Sequence, residues 1–180
     1  MRDETEDSSM SQAKNEHDAA EVNRLLAGAA KAIGSVRYCW LATAAGAGGR
    51  HPRPMGRLPK DVGDDEWMIR FVSDGRSNKA SELRRDDKVT IIFQNAPDDA
   101  FVTLIGAATL RERASEDGEH WKKAYEVYFP SEQDRANAIF IEVNVQRMEL
   151  WIRGVTPEPF GLRKTVLERD AEGGWSTAVQ

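Results

Sequence analysis

Residues 67–83, WMIRFVSDGRSNKASEL, place cations where elementary electrostatics would put acid. Trp67, Ile69 and Phe71 alternate with Met68, Arg70 and Val72 at the period of a strand. Ser73, Asp74 and Gly75 break that run, and Ser77 or Asn78 can cap a helix over about residues 78–85. A helix N-terminus carries partial positive charge and favours Asp or Glu, yet Arg76 and Lys79 stand there. Two cations beside free backbone N–H groups are relieved by an anion, and a helix N-terminus is itself an anion site. The stretch reads either as a phosphate cradle or as a solvated basic turn, because both use the same residues.

Residues 50–58, RHPRPMGRL, carry the second unusual pattern. Pro52 and Pro54 remove donors at alternate positions, so one edge of this strand cannot be fully paired. Arg53, Met55 and Arg57 then share a face. The face is either that of an exposed edge strand protected by proline and charge, or a surface from which Arg53 reaches the same anion as Lys79. His51 reads as a surface histidine, and Arg57 and Arg76 as cations that solvent can satisfy. His17, His51 and His120 are scattered and none is assigned a catalytic role.

The elements that must position these groups follow from the rest of the chain. Its 180 residues are 40% hydrophobic and carry a formal net charge of −5. That is one domain's length with enough apolar content for a core, and its charge argues against a nucleic-acid partner. A single cysteine, Cys39, excludes an internal disulfide framework and reads as a small buried hydrophobe. The apolar runs are too short to span a bilayer and the N-terminus lacks a signal-peptide core, so a cytoplasmic protein without a membrane partner is expected.

Residues 1–17 are almost wholly polar and are expected to be disordered, leaving a single domain over residues 18–180 that includes a C-terminal extension. Val22, Leu25, Leu26, Ala29 and Ile33 mark one helical face that ends at Gly34. Strands are expected over 36–43, 50–58, 67–72, 89–95, 101–110, 138–145 and 147–152, with a last extended segment over 163–169 closed by a Gly-Gly turn and Trp175. Gly106 marks a bulge or a close approach. A helix is expected over 116–128, with Trp121, Ala124, Tyr125 and Tyr128 on one face and Pro130 as its stop. Short strands, tight turns and few helices exclude a doubly wound parallel sheet and fit a mainly β, antiparallel barrel with peripheral helices.

Arg53-Pro54-Met55, the strand into Val72-Ser73, and Ser77-Asn78-Lys79 before a short helix together resemble the FMN-binding split-barrel family. That family is typified by pyridoxamine phosphate oxidase, and the general stress protein branch is the nearer likeness. Trp121, Tyr128-Phe129-Pro130, residues 139–145 and Glu149-Leu150-Trp151 extend the resemblance over residues 21–151. It implies a six-stranded antiparallel split β-barrel that forms a homodimer, with flavin mononucleotide (FMN) at the interface. Arg53 and Lys79 would hold the flavin phosphate, with Ser77 and Asn78 adding donors. Met55 and Val72 would flank the isoalloxazine, Ser73 would donate to its polar edge, and Trp151 would belong to the partner's side of the groove or to the core. Asn78 departs from the oxidases, where an arginine commonly holds that place.

The resemblance implies a flavin-dependent oxidoreductase that uses a small-molecule reductant or substrate. The alternative is a non-catalytic protein that binds or buffers flavin under stress. FAD, haem or a deazaflavin are alternative ligands within the fold. The oxidases carry an Arg-x-His element near the C-terminus, where this chain has Pro157, Glu158, Pro159 and Phe160 and no histidine after His120. Pyridoxamine phosphate oxidase activity itself is therefore not expected.

Overall fold

Alternation of apolar and polar residues marks many of the strands of this chain. A computed structural model describes residues 3–178, and side chains from residue 16 onward apart from Ala47. It contains β1 (Tyr38–Ala44), β2 (Arg50–Gly56), β3 (Met68–Asp74), β4 (Lys88–Asn95), β5 (Ala100–Arg111), β6 (Ala138–Ile152), β7 (Thr165–Arg169) and β8 (Trp175–Thr177). Three α-helices, α1 (Asp3–Gly34), α2 (Asn78–Arg85) and α3 (Glu132–Ala136), complete it. The class is mainly β with peripheral helices, as expected, with eight strands described rather than six. The strands form one sheet, and the pairs β1–β2, β1–β4, β3–β6, β6–β7 and β7–β8 are all antiparallel.

The chain divides into two compact units, and neither is continuous in sequence. The first takes the residues up to Val36 with Gln94–Val102 and Arg147–Gln180. In it α1 buries Val22, Leu25, Ala29 and Ile33 of the face anticipated from their spacing, and Ala32 besides, while Leu26 stays half-buried. A Cβ on Gly28 would lie 2.7 Å from the Val155 side chain, so the helix approaches that turn closely. The helix α1 is described from Asp3. No Gly or Pro interrupts it before Gly28, and Ala, Glu, Lys and Gln are good helix formers. Residues 1 and 2 lie outside the described residues. The extended segment expected over 163–169 is β7, which forms with β8 a hairpin that pairs Arg169 with Trp175.

The second unit comprises Arg37–Phe93 and Thr103–Gln146. Its strands bury Cys39, Leu41, Ile69, Phe71, Ile91, Leu104, Phe140, Ile141 and Val143. Burial raises the Cys39 thiol to about 12, so it behaves as a hydrophobe. Gly106 is a close approach: a Cβ there would sit 2.0 Å from the Asn144 carbonyl oxygen. β6 is one strand of 15 residues where two were expected: the buried positions shift from Val143 and Val145 to Met148, Leu150 and Ile152, so the alternation changes phase at Gln146 and Arg147 without ending the strand.

The helix expected over 116–128 is replaced by two 3-10 turns, Ala114–Glu116 and Lys123–Val127. The Asp117 carboxylate accepts from the Glu119 and His120 backbone N–H groups, which competes with helical bonding at that point. Trp121 still packs with Tyr125 and Phe129, at ring centroid distances of 5.6 and 5.7 Å, but Tyr128 is exposed. Ala114, Phe129, Ala138 and Phe140 form a cluster against which Leu58, Val72, Trp121 and Tyr125 pack.

Beside that cluster Arg70, 5% exposed, is held by Asp61 (3.2 Å), Asp64 (3.0 Å) and Glu142 (2.9 Å), with its guanidinium 5.9 Å from the Phe140 ring centroid. Lys122 bonds Asp61 at 3.0 Å, which joins two loops through one network. Burial opposes the ionisation of Asp64, but the Asp61 backbone N–H and the Arg70 guanidinium overcome it and hold the carboxyl below its ordinary value. A carboxyl depressed on folding contributes stability above its unfolded value and loses it as pH falls through the folded one. Arg70→Ala leaves the buried Asp64 carboxylate without its cation, while Asp61 keeps Lys122 and Glu142 keeps Arg111, and is expected to cost about 3–5 kcal/mol at neutral pH. Denaturant unfolding should show that cost shrinking as acid protonates Asp64; a loss below about 1 kcal/mol at neutral pH would contradict this role.

Candidate functional site

The strand β3 ends in a turn that is tightly specified. Gly75 donates to the Asn137 carbonyl at 2.8 Å, and a Cβ on Gly75 would crowd that oxygen at 3.1 Å. The Asp74 carboxylate receives the Arg76 backbone N–H and pairs with its guanidinium, which also pairs with Asp134 at 2.9 Å. Arg76 is therefore committed to carboxylates and not simply solvated. The turn leads into α2 at the boundaries expected, with Ser77 as N-cap accepting from the Ala80 N–H. Ala80 and Leu83 are buried, and the first turn holds no acid.

The strand β2 is the edge of the sheet, as its prolines anticipated, with Pro52 opposite Ala42 and Pro54 opposite Trp40. His51, Arg53 and Met55 occupy alternate positions and thus one face, the face shared with α2. Together they bound an open cleft of about 440 Å³, lined by His51, Arg53, Pro54, Met55, Ser77, Asn78, Lys79 and Glu82.

A buried carboxylate organises this cleft. Glu82, on α2, accepts from the Thr43 hydroxyl at 2.5 Å and from Arg53 Nη2 at 3.0 Å through Oε2. Its Oε1 lies 2.6 Å from His51 Nδ1, while Arg53 Nη1 donates to the Thr43 hydroxyl at 2.5 Å. Burial works against ionisation, but the bonds from Thr43, His51 and Arg53 and the Arg53 charge prevail and hold the Glu82 carboxyl at about 2. An ionised carboxylate only accepts, so His51 Nδ1 is the donor of that pair.

Lys79 Nζ donates to the Ser73 hydroxyl at 2.9 Å. Burial and the nearby Arg53 charge push the Lys79 ammonium below its ordinary value, with only the Asp74 charge opposing. Two cations are thus brought together at a helix N-terminus, where an anion would lower the energy of both.

Of the residues singled out from sequence, Arg53, Met55, Ser77, Asn78 and Lys79 line the cleft, and Ser73 is joined to it through Lys79. Val72 is not brought there: it alternates with Ser73 along β3 and packs against the Phe129–Phe140 cluster. Trp151 lies half-buried on β6 in the other unit. The residues that sequence reasoning missed are Glu82, Thr43 and His51. His51 was detectable, since spacing by two on a strand puts it on the face of Arg53 and Met55. Among the described residues no group of His, Cys, Asp and Glu could hold a metal, and no helix is long and apolar enough to cross a membrane.

No protein of curated function matches the chain. Solved structures do. An FMN-binding, pyridoxamine 5'-phosphate oxidase-related protein of Nostoc punctiforme superposes with a TM-score of 0.64 at 15% identity, over 85% of this chain and 92% of its own. A protein of Clostridium acetobutylicum related to general stress protein 26 gives 0.62 at 16% identity, over 79% and 93%. PhzG of Burkholderia lata, solved with tetrahydrophenazine-1-carboxylic acid, gives 0.56 at 15% identity, over 95% and 89%. These likenesses share the fold. The family described as pyridoxamine 5'-phosphate oxidase like matches residues 26–160, a span that contains β2, the β3 turn and α2 with every residue of the cleft, and the chain belongs to that family.

Proposed function

We propose that this protein binds flavin mononucleotide with the phosphate in the cleft at the start of α2, and that it is a flavin-dependent oxidoreductase for a small substrate. The carrying observation is the pairing of Arg53 with Lys79 beside a helix N-terminus whose first turn holds no acid. A phosphate monoester fits this donor set, because it needs cations and N–H groups that converge on one point. Lys79 and Arg53 supply the charge, and Ser77 and Asn78 supply a hydroxyl, an amide and backbone donors. Met55 offers a thioether surface on the same face as Arg53, and the Ser73 hydroxyl beside Lys79 would donate to the polar edge of the ring system.

Bound flavin supplies the redox chemistry, and the protein's part is to orient it and shape its surroundings. The direct test is affinity. Lys79→Ala should weaken flavin mononucleotide binding by about 1.5–3 kcal/mol, the size of a charged hydrogen bond, and leave riboflavin binding nearly unchanged. Equal losses for both ligands would remove Lys79 from the phosphate. Catalysis is tested separately: the flavin-loaded protein should oxidise a reduced nicotinamide or another small reductant through many turnovers. Flavin that stays oxidised, or is reduced only once, would make this a flavin-binding protein without a reaction of its own.

We also propose a homodimer with the flavin at its interface. Trp40, 46% exposed, lies opposite Pro54 on β2 and Ile92, 37% exposed, on β4, with Tyr38 exposed two residues along. This apolar row crosses three neighbouring strands and meets the cleft at Pro54. A second copy would cover it symmetrically, the commonest closed arrangement. Light scattering should report a dimer that Trp40→Glu dissociates; a flavin-loaded monomer of the unaltered protein would refute this assembly.

A further inference from the structure

A phosphate monoester carries close to two negative charges at neutral pH, and the cleft as bonded does not balance them. Arg53 and Lys79 bring two positive charges, but Glu82 lies in the same cleft as an ionised carboxylate and offsets one. The remaining titratable group lining the cleft is His51 on β2. Its ring is oriented by the 2.6 Å bond from Nδ1 to Glu82, and its side chain is 60% exposed. That bond leaves Nε2 as the ring nitrogen available to a ligand.

We propose that His51, held by Glu82, is the third cation of the cleft and donates its Nε2–H to the bound phosphate, so that binding takes up a proton. The inference rests on the phosphate assignment above and adds a proton linkage to it. With Nδ1–H given to Glu82, a neutral His51 presents a lone pair at Nε2, which repels a phosphate oxygen. The imidazolium presents a donor at the same atom. The charged groups sharing the cleft are Arg53 on β2 and Lys79 and Glu82 on α2, with the uncharged Thr43 hydroxyl from β1 bonded to Glu82. A bound phosphate would add negative charge beside the His51 ring and pair with the Arg53 and Lys79 cations. The ligand therefore raises the proton affinity of His51. By linkage, the His51 share of the binding is present at low pH and is lost as pH rises through the imidazole's ligand-bound titration.

The phosphate's own second ionisation, near pH ~6, acts in the opposite direction, so the test compares the unaltered protein with His51→Gln. Flavin mononucleotide and riboflavin are titrated calorimetrically into both proteins. Relative to the variant, the unaltered protein should lose about tenfold in flavin mononucleotide affinity between about pH 6 and about pH 8, with no such difference for riboflavin. Riboflavin binding reports that the variant is folded. On the unaltered protein alone, the His51 ring C–H resonance should titrate at higher pH with flavin mononucleotide bound than with riboflavin. Superimposable pH profiles for protein and variant, or equal His51 titrations with the two ligands, would overturn the role of His51. If Lys79→Ala still selectively weakened flavin mononucleotide in that case, the phosphate assignment would stand. Equal affinity of the unaltered protein for flavin mononucleotide and riboflavin would overturn both.

Discussion

The Glu82 carboxylate accepts hydrogen bonds from Thr43 on β1 and from His51 and Arg53 on β2, and so ties α2 to two strands that precede it in the chain by some thirty to forty residues. A buried carboxylate costs several kcal/mol unless it is paired and fully bonded. Here both oxygens are engaged, and the bonding depresses the group to about 2 despite burial. The arrangement is directional. Sliding α2 by one turn or rotating it would unpair the carboxylate, strand the Arg53 guanidinium and expose Ala80 and Leu83. Lys79 lies three residues before Glu82 and so shares its helical face. The bond that fixes Glu82 thus also fixes where the Lys79 ammonium sits relative to Arg53.

β3 supports the same site from its other end by using its two faces differently. Arg70 projects into three carboxylates on one face, beside the cluster of Phe129 and Phe140, and Val72 packs into that cluster. Ser73 belongs to the opposite face and meets Lys79. β3 pairs with β6 in continuous register from Met68–Asn144 to Asp74–Ala138. Movement of the β3 turn would therefore have to break ladder bonds as well as the Arg70 pairs. Rigidity at a ligand-binding turn preserves the convergence of donors, since a site that must first order itself loses affinity to that ordering.

Local patterns were legible wherever one element decided them. The Ser77 cap, the extent of α2, the proline-marked edge strand β2 and the Gly106 close approach each follow from residue types within a few positions. The pairing of Arg53 with Lys79 was suggested by charge at a helix start, because cations there need a reason. The partners of Glu82 were not legible, since Thr43, His51 and Glu82 meet only through tertiary packing and an isolated Glu in a helix reads as solvated. The stretch 116–128 failed for a related reason. Its aromatic spacing suits a helix, but the Asp117 side chain captures backbone donors, and Trp121 is placed by the Phe129 and Phe140 rings. Val72 packs against the Phe129 and Phe140 cluster because period-two alternation puts it on the opposite face from Ser73, although the two are neighbours in sequence.

The cleft is also unequal in character, and that inequality bears on assembly. Its cationic end is complete within one chain: two cations, a hydroxyl, an amide, a helix N-terminus and a histidine converge there. Its apolar surface amounts to Met55 and Pro54. The tricyclic ring of the proposed flavin would bury far more area than those two side chains can cover, and burial of apolar surface is worth roughly 25 cal/mol per Å². The missing surface has to come from elsewhere. Within the same unit the exposed apolar side chains nearest in the sheet are Trp40 and Ile92, in the row that begins at Pro54. These point away from the face of Arg53 and Met55, because alternate residues of a strand face opposite sides. They cannot close the cleft of their own chain. In the homodimer proposed above, a second copy would cover them.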